Sequence, residues 1–224
     1  MRIPLAREGW PFILSTAIPA IVLLDAAAMF GGPILWGFAA ALSILALGVL
    51  AFFRDPQRSG PRGPDLIVAP ADGRIVEIVP VTETSYVNGD TVRVSIFLSL
   101  FDVHINRYPV TGSVQHRSYN AGGYEPAWRS SASHSNERSS TGIYFKGGPL
   151  LVNQIAGLAA KRIVNYAEIG DEVEQGERMG LIRFGSRVDV YMPTDVELEV
   201  KAGQRAVGGI TILARLPDSR GSEA

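Results

Sequence analysis

The stretch from Trp10 to Phe53 is nearly free of charge, and it constrains every other reading of the chain. It divides into two apolar runs, residues 10–30 and 33–53, separated by Gly31-Gly32-Pro33. At about 1.5 Å per residue, a helix of about 21 residues is roughly 31 Å long, close to the hydrocarbon thickness of a bilayer. Arg2 and Arg7 precede the first run, Arg54, Arg58 and Arg62 follow the second, and the turn carries no positive residue. That pattern predicts a helical membrane hairpin over residues 1–53 with both ends on the cytoplasmic side. A cleaved signal peptide fits poorly, because the apolar region is too long and is doubled. A buried core hairpin fits less well, because neither run shows an amphipathic stripe. Asp25 lies inside the first run, where a carboxylate at bilayer depth costs about 2.5–3.5 kcal/mol. A shallow hairpin, with Asp25 near the far interface or neutralised, is therefore the alternative to a fully spanning one.

Composition removes several function classes. Of 224 residues, 21 are Lys or Arg and 22 Asp or Glu, which argues against nucleic-acid binding through a basic surface. Cysteine is absent, so disulfides, zinc–thiolate sites and thiol nucleophiles are excluded together. Lys146, Lys161 and Lys201 are the only lysines, and His104, His116 and His134 the only histidines, a thin supply for a metal enzyme.

Beyond a Pro-, Gly- and Arg-rich linker at residues 54–65, the chain reads as mainly β from 66 to 216, with a flexible tail at 217–224. Residues 67–80 predict a strand, a Pro-Ala-Asp-Gly turn and a second strand. Asn88-Gly89 predicts a hairpin between strands at 83–87 and 91–98. Only residues 154–163 offer anything beyond strand and turn. Val68-Ala69-Pro70-Ala71-Asp72 recurs weakly as Tyr191-Met192-Pro193-Thr194-Asp195. Such duplicated units suggest a small two-sheet β-sandwich or barrel-sandwich hybrid, similar to lipoyl and biotinyl carrier domains. No lysine occupies an exposed hairpin tip, so the carrier function itself is a poor reading. The polar segment 119–141, with Tyr124 and Trp128, has the length of a lid or binding loop, and Trp128 with Arg129 suits a membrane interface.

The segment Arg183-Phe184-Gly185-Ser186-Arg187-Val188 precedes a strand at 189–192. Alone, its Gly-Ser is an ordinary turn. Phe52-Phe53-Arg54-Asp55-Pro56 follows the apolar region, and Pro70-Ala71-Asp72-Gly73 opens the β part. Phe101-Asp102-Val103-His104-Ile105-Asn106-Arg107-Tyr108-Pro109 and Asn136-Glu137-Arg138 lie between. In this order and spacing the set resembles the short, membrane-hairpin branch of the phosphatidylserine decarboxylase family, from about residue 10 to about residue 216.

The resemblance implies a lyase of phospholipid biosynthesis in the bacterial cytoplasmic membrane, with its catalytic domain on the cytoplasmic side. It implies a pyruvoyl group made from Ser186, with neither metal nor pyridoxal phosphate. The Ser186 hydroxyl would attack the Gly185 carbonyl, and elimination would leave a large chain 1–185 and a pyruvoyl-capped small chain 186–224. These would remain together as a heterodimer, and exposed sheet edges leave room for a higher oligomer. The pyruvoyl carbonyl would form a Schiff base with the amine of a serine phospholipid and accept electrons as carbon dioxide leaves.

His104 is the candidate general acid and base. Asp102, two residues earlier, is placed to orient or polarise it, and Asp72 matches the family's aspartate associated with cleavage. Longer members carry a second histidine where this chain has Arg107, which leaves His104 both tasks or makes Arg107 a ligand for phosphate or carboxylate. Asn136-Glu137-Arg138 has no derivable role, and His116 and His134 read as surface or loop residues.

Three other readings compete. A membrane-anchored serine hydrolase would use intact Ser186, but the glycines of a nucleophile elbow are missing at Phe184 and Val188. A zinc peptidase would need histidines at ligand spacing. A membrane-tethered β scaffold would need no Ser186 chemistry at all.

Overall fold

A computed structural model describes residues 4–123, 125, 135–157, 163–183 and 185–217. Two compact units divide the chain, Met1–Gln57 and Arg58–Ala224.

The first unit is a helical hairpin. A single 3-10 turn (Arg7–Gly9) leads into α1 (Trp10–Phe30), and α2 (Pro33–Phe52) returns. Gly31 and Gly32 make the turn at φ +67° and +92°, and Pro33 opens α2 with the fixed φ that suits a first helical position. Small residues Ala20, Ala27 and Ala39 are buried, whereas Ile18, Val22, Phe30, Ile34 and Phe38 point outward. Two helices that are apolar nearly all round and leave their bulk exposed suit an apolar solvent. Each is long and apolar enough to cross a bilayer. At the open end, Ala6 N–H donates to Phe53 O at 2.8 Å and Asp55 N–H to Pro4 O at 2.8 Å, closing the hairpin. Asp25 is exposed on α1.

The second unit is mainly β among its described residues. Its strands are β1 (Leu66–Val68), β2 (Gly73–Glu83), β3 (Gly89–Leu98), β4 (Ile105–Arg107), β5 (Gly112–Asn120), β6 (Arg138–Phe145) and β7 (Gly148–Ile155). There follow β8 (Ile163–Asn165), β9 (Glu172–Val173), β10 (Arg178–Ile182), β11 (Ser186–Met192), β12 (Glu197–Leu198), β13 (Arg205–Ala206) and β14 (Ile212–Arg215). Eight form one sheet in the order β13-β2-β3-β11-β7-β6-β5-β9, and two three-stranded sheets, β1-β14-β12 and β4-β10-β8, complete the fold. The large sheet curls. Tyr86, in the β2–β3 loop, stacks on His116 of β5 at 5.5 Å although three strands separate β3 from β5 in the order. The mainly-β sandwich read from the sequence is thus one dominant half-barrel with two small sheets.

Alternation sorts the two faces. Val94, Ile96 and Leu98 of β3 and Val188, Val190 and Met192 of β11 join a core with Ile67, Met179, Ile182 and Leu213 from the small sheets.

Two local expectations are corrected. Residues 84–87 are loop and not strand, because the Glu83 carboxylate accepts the N–H groups of Ser85, Tyr86 and Val87 at 2.7–2.9 Å. Asn88 sits at φ +54°, the left-handed conformation that Asn tolerates and the turn needs. The linker read as 54–65 is folded from Arg58 onward: Arg58 pairs with Asp72 at 2.7 Å and Arg62 donates to Gly209 O at 2.8 Å. The two copies of the weak repeat are both crossovers between the large sheet and the β1-β14-β12 sheet, run in opposite directions.

Candidate active site

Two chain segments pass from the β4-β10-β8 sheet to the large sheet side by side. One is residues 99–104, joining β3 to β4; the other is residues 183–185, joining β10 to β11. Strand pairing fixes both ends, since Leu98 faces Ser186 and Ile105 faces Leu181. A direct bond ties them where they meet: Ile182 N–H donates to His104 O at 3.3 Å. Residues far apart in sequence, His104 and the Gly185-Ser186 pair, therefore stand on adjacent crossovers.

Ser186 opens β11 and shares the core face with Val188. It is fully buried, and its Oγ has no hydrogen-bond partner among the described residues. Gly185 precedes it at φ +64°, with nothing within 4 Å of where a Cβ would stand. Backbone conformation, and not space, is what requires glycine here.

His104 is 1% exposed, and its Nδ1 lies 2.9 Å from the carbonyl oxygen of Asp102. A carbonyl only accepts, so neutral His104 carries its proton on Nδ1 and its basic nitrogen is Nε2. The Asp102 carboxylate faces elsewhere, accepting from Ser99 N–H at 2.9 Å and Ser99 Oγ at 2.6 Å and pairing with Arg205. Burial pushes this carboxyl up, but Ser99 and Arg205 outweigh it and hold it below the ordinary carboxylate range. Asp102 thus orients the ring through its main chain and braces the crossover through its side chain.

The other expected residues have partners of their own. Asp72 precedes β2, its carboxylate taking Arg58 at 2.7 Å and Gly208 N–H at 2.8 Å. Asp195, its counterpart in the repeat, is exposed. Arg107, at the far end of β4, donates to Gly176 O at 3.0 Å. His116 lies on β5 against Tyr86, as a surface residue would. Tyr124, Trp128, Arg129 and His134, the distinctive side chains of the expected lid, lie outside the described residues.

Asn136-Glu137-Arg138 gains a structural role. Asn136 Nδ2 donates to Ala156 O at 2.8 Å and to Glu125 O at 2.7 Å, and its Oδ1 accepts from Glu125 N–H at 2.8 Å. Glu137 O accepts from Ala156 N–H at 2.9 Å, and its Oε1 accepts from the Tyr119 hydroxyl at 3.0 Å. Arg187 faces Ile155, so Ala156 lies next to Ser186, and the end of the long polar segment is fastened there.

Two features escaped sequence reasoning. On the core face, Gln154 Nε2 donates to Asn106 Oδ1 at 2.8 Å; both residues are fully buried, and Asn106 Nδ2 and Gln154 Oε1 are unpartnered among the described residues. Gln154 faces Val188, one diagonal step from Ser186. Its only signal was the polar pair Asn153-Gln154 inside the otherwise apolar run Leu150–Ile155. On the opposite face, buried Arg187 binds Asp189 at 2.6 Å, Ser95 at 2.7 Å and Glu77 at 3.0 Å, and Arg93 reaches Glu77 at 2.7 Å. Burial raises the Glu77 carboxyl, but Arg187 and Arg93 bring it below its ordinary value. The period-2 charges Arg187 and Asp189 were the available signal. Among the described residues, no three His, Asp or Glu side chains gather to hold a metal ion.

Comparison with known proteins agrees with this arrangement. The family model for phosphatidylserine decarboxylase matches residues 45–214. A protein of Symbiobacterium thermophilum named phosphatidylserine decarboxylase proenzyme is 47% identical over 97% of this chain and 98% of its own. One of the same name from Aromatoleum aromaticum is 44% identical over 95% and 96%. Another, from Carboxydothermus hydrogenoformans, is 41% identical over 96% and 99%. Matches that run through the hairpin and the β unit alike leave one assignment: the chain belongs to the phosphatidylserine decarboxylase family.

Proposed function

We propose that the chain cuts itself between Gly185 and Ser186, and that the processed protein decarboxylates phosphatidylserine to phosphatidylethanolamine at a membrane. The relatives' designation as proenzymes supports a processed form. The Ser186 hydroxyl carries the reading. A buried hydroxyl without a partner costs about 1–3 kcal/mol, which a serine kept as serine does not recover. A serine that is a precursor needs its oxygen unengaged, beside a carbonyl carried by a residue free to take a left-handed conformation.

In this scheme Ser186 Oγ attacks the Gly185 carbonyl carbon while His104 Nε2 takes the hydroxyl proton. The peptide C–N bond breaks, the proton passes to the departing nitrogen, and an ester links Gly185 to Oγ. Loss of the Ser186 α-proton expels Oγ with Gly185 as a carboxylate and leaves dehydroalanine. Its imine tautomer adds water and releases ammonia, leaving a pyruvoyl group on the small chain. That group supplies a ketone that takes the substrate amine and draws off the electron pair as carbon dioxide leaves.

The chain's own residues do the rest. His104 returns a proton to the substrate carbon. Asn106 Nδ2 and Gln154 Oε1, one donor and one acceptor on the Ser186 face, hold polar headgroup atoms. Asp72 fixes the start of β2, whose Arg74 pairs with Phe97, next to Leu98, the partner of Ser186. The small chain stays bound, because β11 lies between β3 and β7 of the large chain. The arginines flanking the hairpin keep both its ends, and the β unit, on the cytoplasmic side. Full burial of Ser186 speaks against a hydrolase that meets its substrate with an intact serine.

Mass spectrometry of the purified protein tests the reading. Two chains are expected, ending at Gly185 and beginning at residue 186, the second with a blocked, hydrazine-reactive terminus. Active material consisting of one 24.1 kDa chain would refute it.

A further inference from the structure

The crossover that bears His104 also bears two conspicuous apolar side chains. Leu100 is 55% exposed and Phe101 87% exposed. They occupy the corner positions of a tight turn, closed where Asp102 N–H donates to Ser99 O at 3.0 Å and the Asp102 carboxylate takes Ser99 N–H and Oγ. Such corners favour Pro, Asn, Asp or Gly. Nothing in the turn's own geometry calls for Leu-Phe, and its bracing holds the pair outward at little further cost in conformational freedom.

The surroundings are basic. Asp102 binds Arg205, whose side chain is 66% exposed, and Arg205 faces exposed Arg74 across the β13–β2 pair. Exposed Lys201 lies in the turn whose Gly203 N–H donates to Ile75 O at 2.7 Å, one residue from Arg74. The nearby acid Glu199 is taken by Arg215 at 2.6 Å. Apolar side chains ringed by cations match a surface of anionic headgroups over hydrocarbon.

We infer that the turn 99–102 is a membrane wedge: Leu100 and Phe101 enter the acyl boundary of an anionic bilayer, with Arg74 and Lys201 on its phosphates. This rests on the proposed lipid substrate and gives the site a means of meeting it. The wedge and His104 share one short crossover, so a headgroup beside the inserted turn is already close to the buried serine's neighbours.

The absence of cysteine makes the test direct, since any introduced thiol is unique. Full-length Phe101→Cys and Thr84→Cys, the latter at the opposite end of β3, are spin-labelled and placed in vesicles of phosphatidylglycerol and phosphatidylcholine. Collision with oxygen dissolved in lipid is compared with collision with an aqueous nickel chelate. The label at 101 is expected below the phosphate level and to shallow as phosphatidylglycerol is withdrawn, while the label at 84 stays aqueous. Equal aqueous exposure at both positions overturns the wedge. So does a label at 101 shielded from both reagents, the signature of a second copy covering the turn. A kinetic arm accompanies it: Leu100→Ser with Phe101→Ser is expected to raise the apparent KM for vesicle phosphatidylserine about tenfold while leaving turnover of a dispersed short-chain analogue unchanged. Absence of decarboxylation in every protein, with the label still deep, would refute the enzymatic reading and leave the wedge standing.

Discussion

The carbonyl oxygen of Asp102 stands 2.9 Å from Nδ1 of His104, while the carboxylate of the same residue is spent on Ser99 and Arg205. Ring orientation therefore survives loss of the carboxylate charge. Asp102→Asn is expected to keep decarboxylation within about tenfold of the parent, roughly 1.4 kcal/mol in barrier. His104→Ala is expected to lose about 10²–10⁴-fold, the usual worth of a positioned acid–base group. Carbon dioxide release from phosphatidylserine measures both. Equal damage from the two substitutions would mean that the carboxylate itself acts on the ring.

Gly185 separates conformation from bulk. A Cβ there meets no atom within 4 Å, yet the backbone sits at φ +64°. Gly185→Ala is expected to fold, carry about 1–2 kcal/mol of left-handed strain, and cut itself more slowly than the parent. Gly185→Asn, whose side chain tolerates that region, is expected to cut faster than the alanine variant. A gel time course of chain separation decides, and identical rates for both variants would remove backbone strain from the account.

These residues were legible because each lay in a contiguous motif: Gly185-Ser186 in one block, His104 in another, the hairpin in two long apolar runs. Asn88 was legible too, as half of a turn dipeptide. What the sequence did not disclose were partnerships made across the fold. Asn106 and Gln154 lie on strands of different sheets, and neither position advertises the other. Asp102 read as a partner for the His104 ring through its carboxylate, because nothing local shows that Arg205 will arrive from β13. Glu83 read as the first residue of a strand, although its carboxylate closes the loop that ends the preceding one. Local pattern sets the strands, while the curl of the large sheet decides which polar groups meet.

Glu83 also makes the fold sensitive to acid. Burial raises its carboxyl, but the Ser85 hydroxyl and the N–H groups of Ser85, Tyr86 and Val87 outweigh this and bring it below its ordinary 4.5. A group whose folded value is depressed stabilises fully above its unfolded value, and the contribution drains away as pH falls through the folded value. Glu83→Gln is expected to cost about 1–3 kcal/mol at pH 7, the worth of hydrogen bonds to a charge. The gap should close as pH drops below 4.5. Urea unfolding midpoints from pH 7 to pH 3 give the comparison, and a gap that stays constant throughout would assign the loss to shape and not to charge.

Arg187 and Asp189 test how the cut chain is held. Both lie on β11, in the small chain, whereas Glu77 and Ser95, which Arg187 also binds at 3.0 and 2.7 Å, belong to the large chain. Arg187 is 1% exposed and Asp189 fully buried. Arg187→Met leaves the Asp189 carboxylate buried without its guanidinium, and removal of one partner from such a pair costs about 3–5 kcal/mol. The small chain is then expected to dissociate at lower urea than in the parent. Arg187→Met with Asp189→Leu removes both charges and is expected to recover much of the loss, because the apolar pair no longer carries the desolvation cost. Size-exclusion chromatography in a urea series, followed by the mass of each peak, reads the outcome directly. A single variant that holds its small chain as firmly as the parent would show that strand pairing with β3 and β7 suffices and that the buried charges add nothing to the grip.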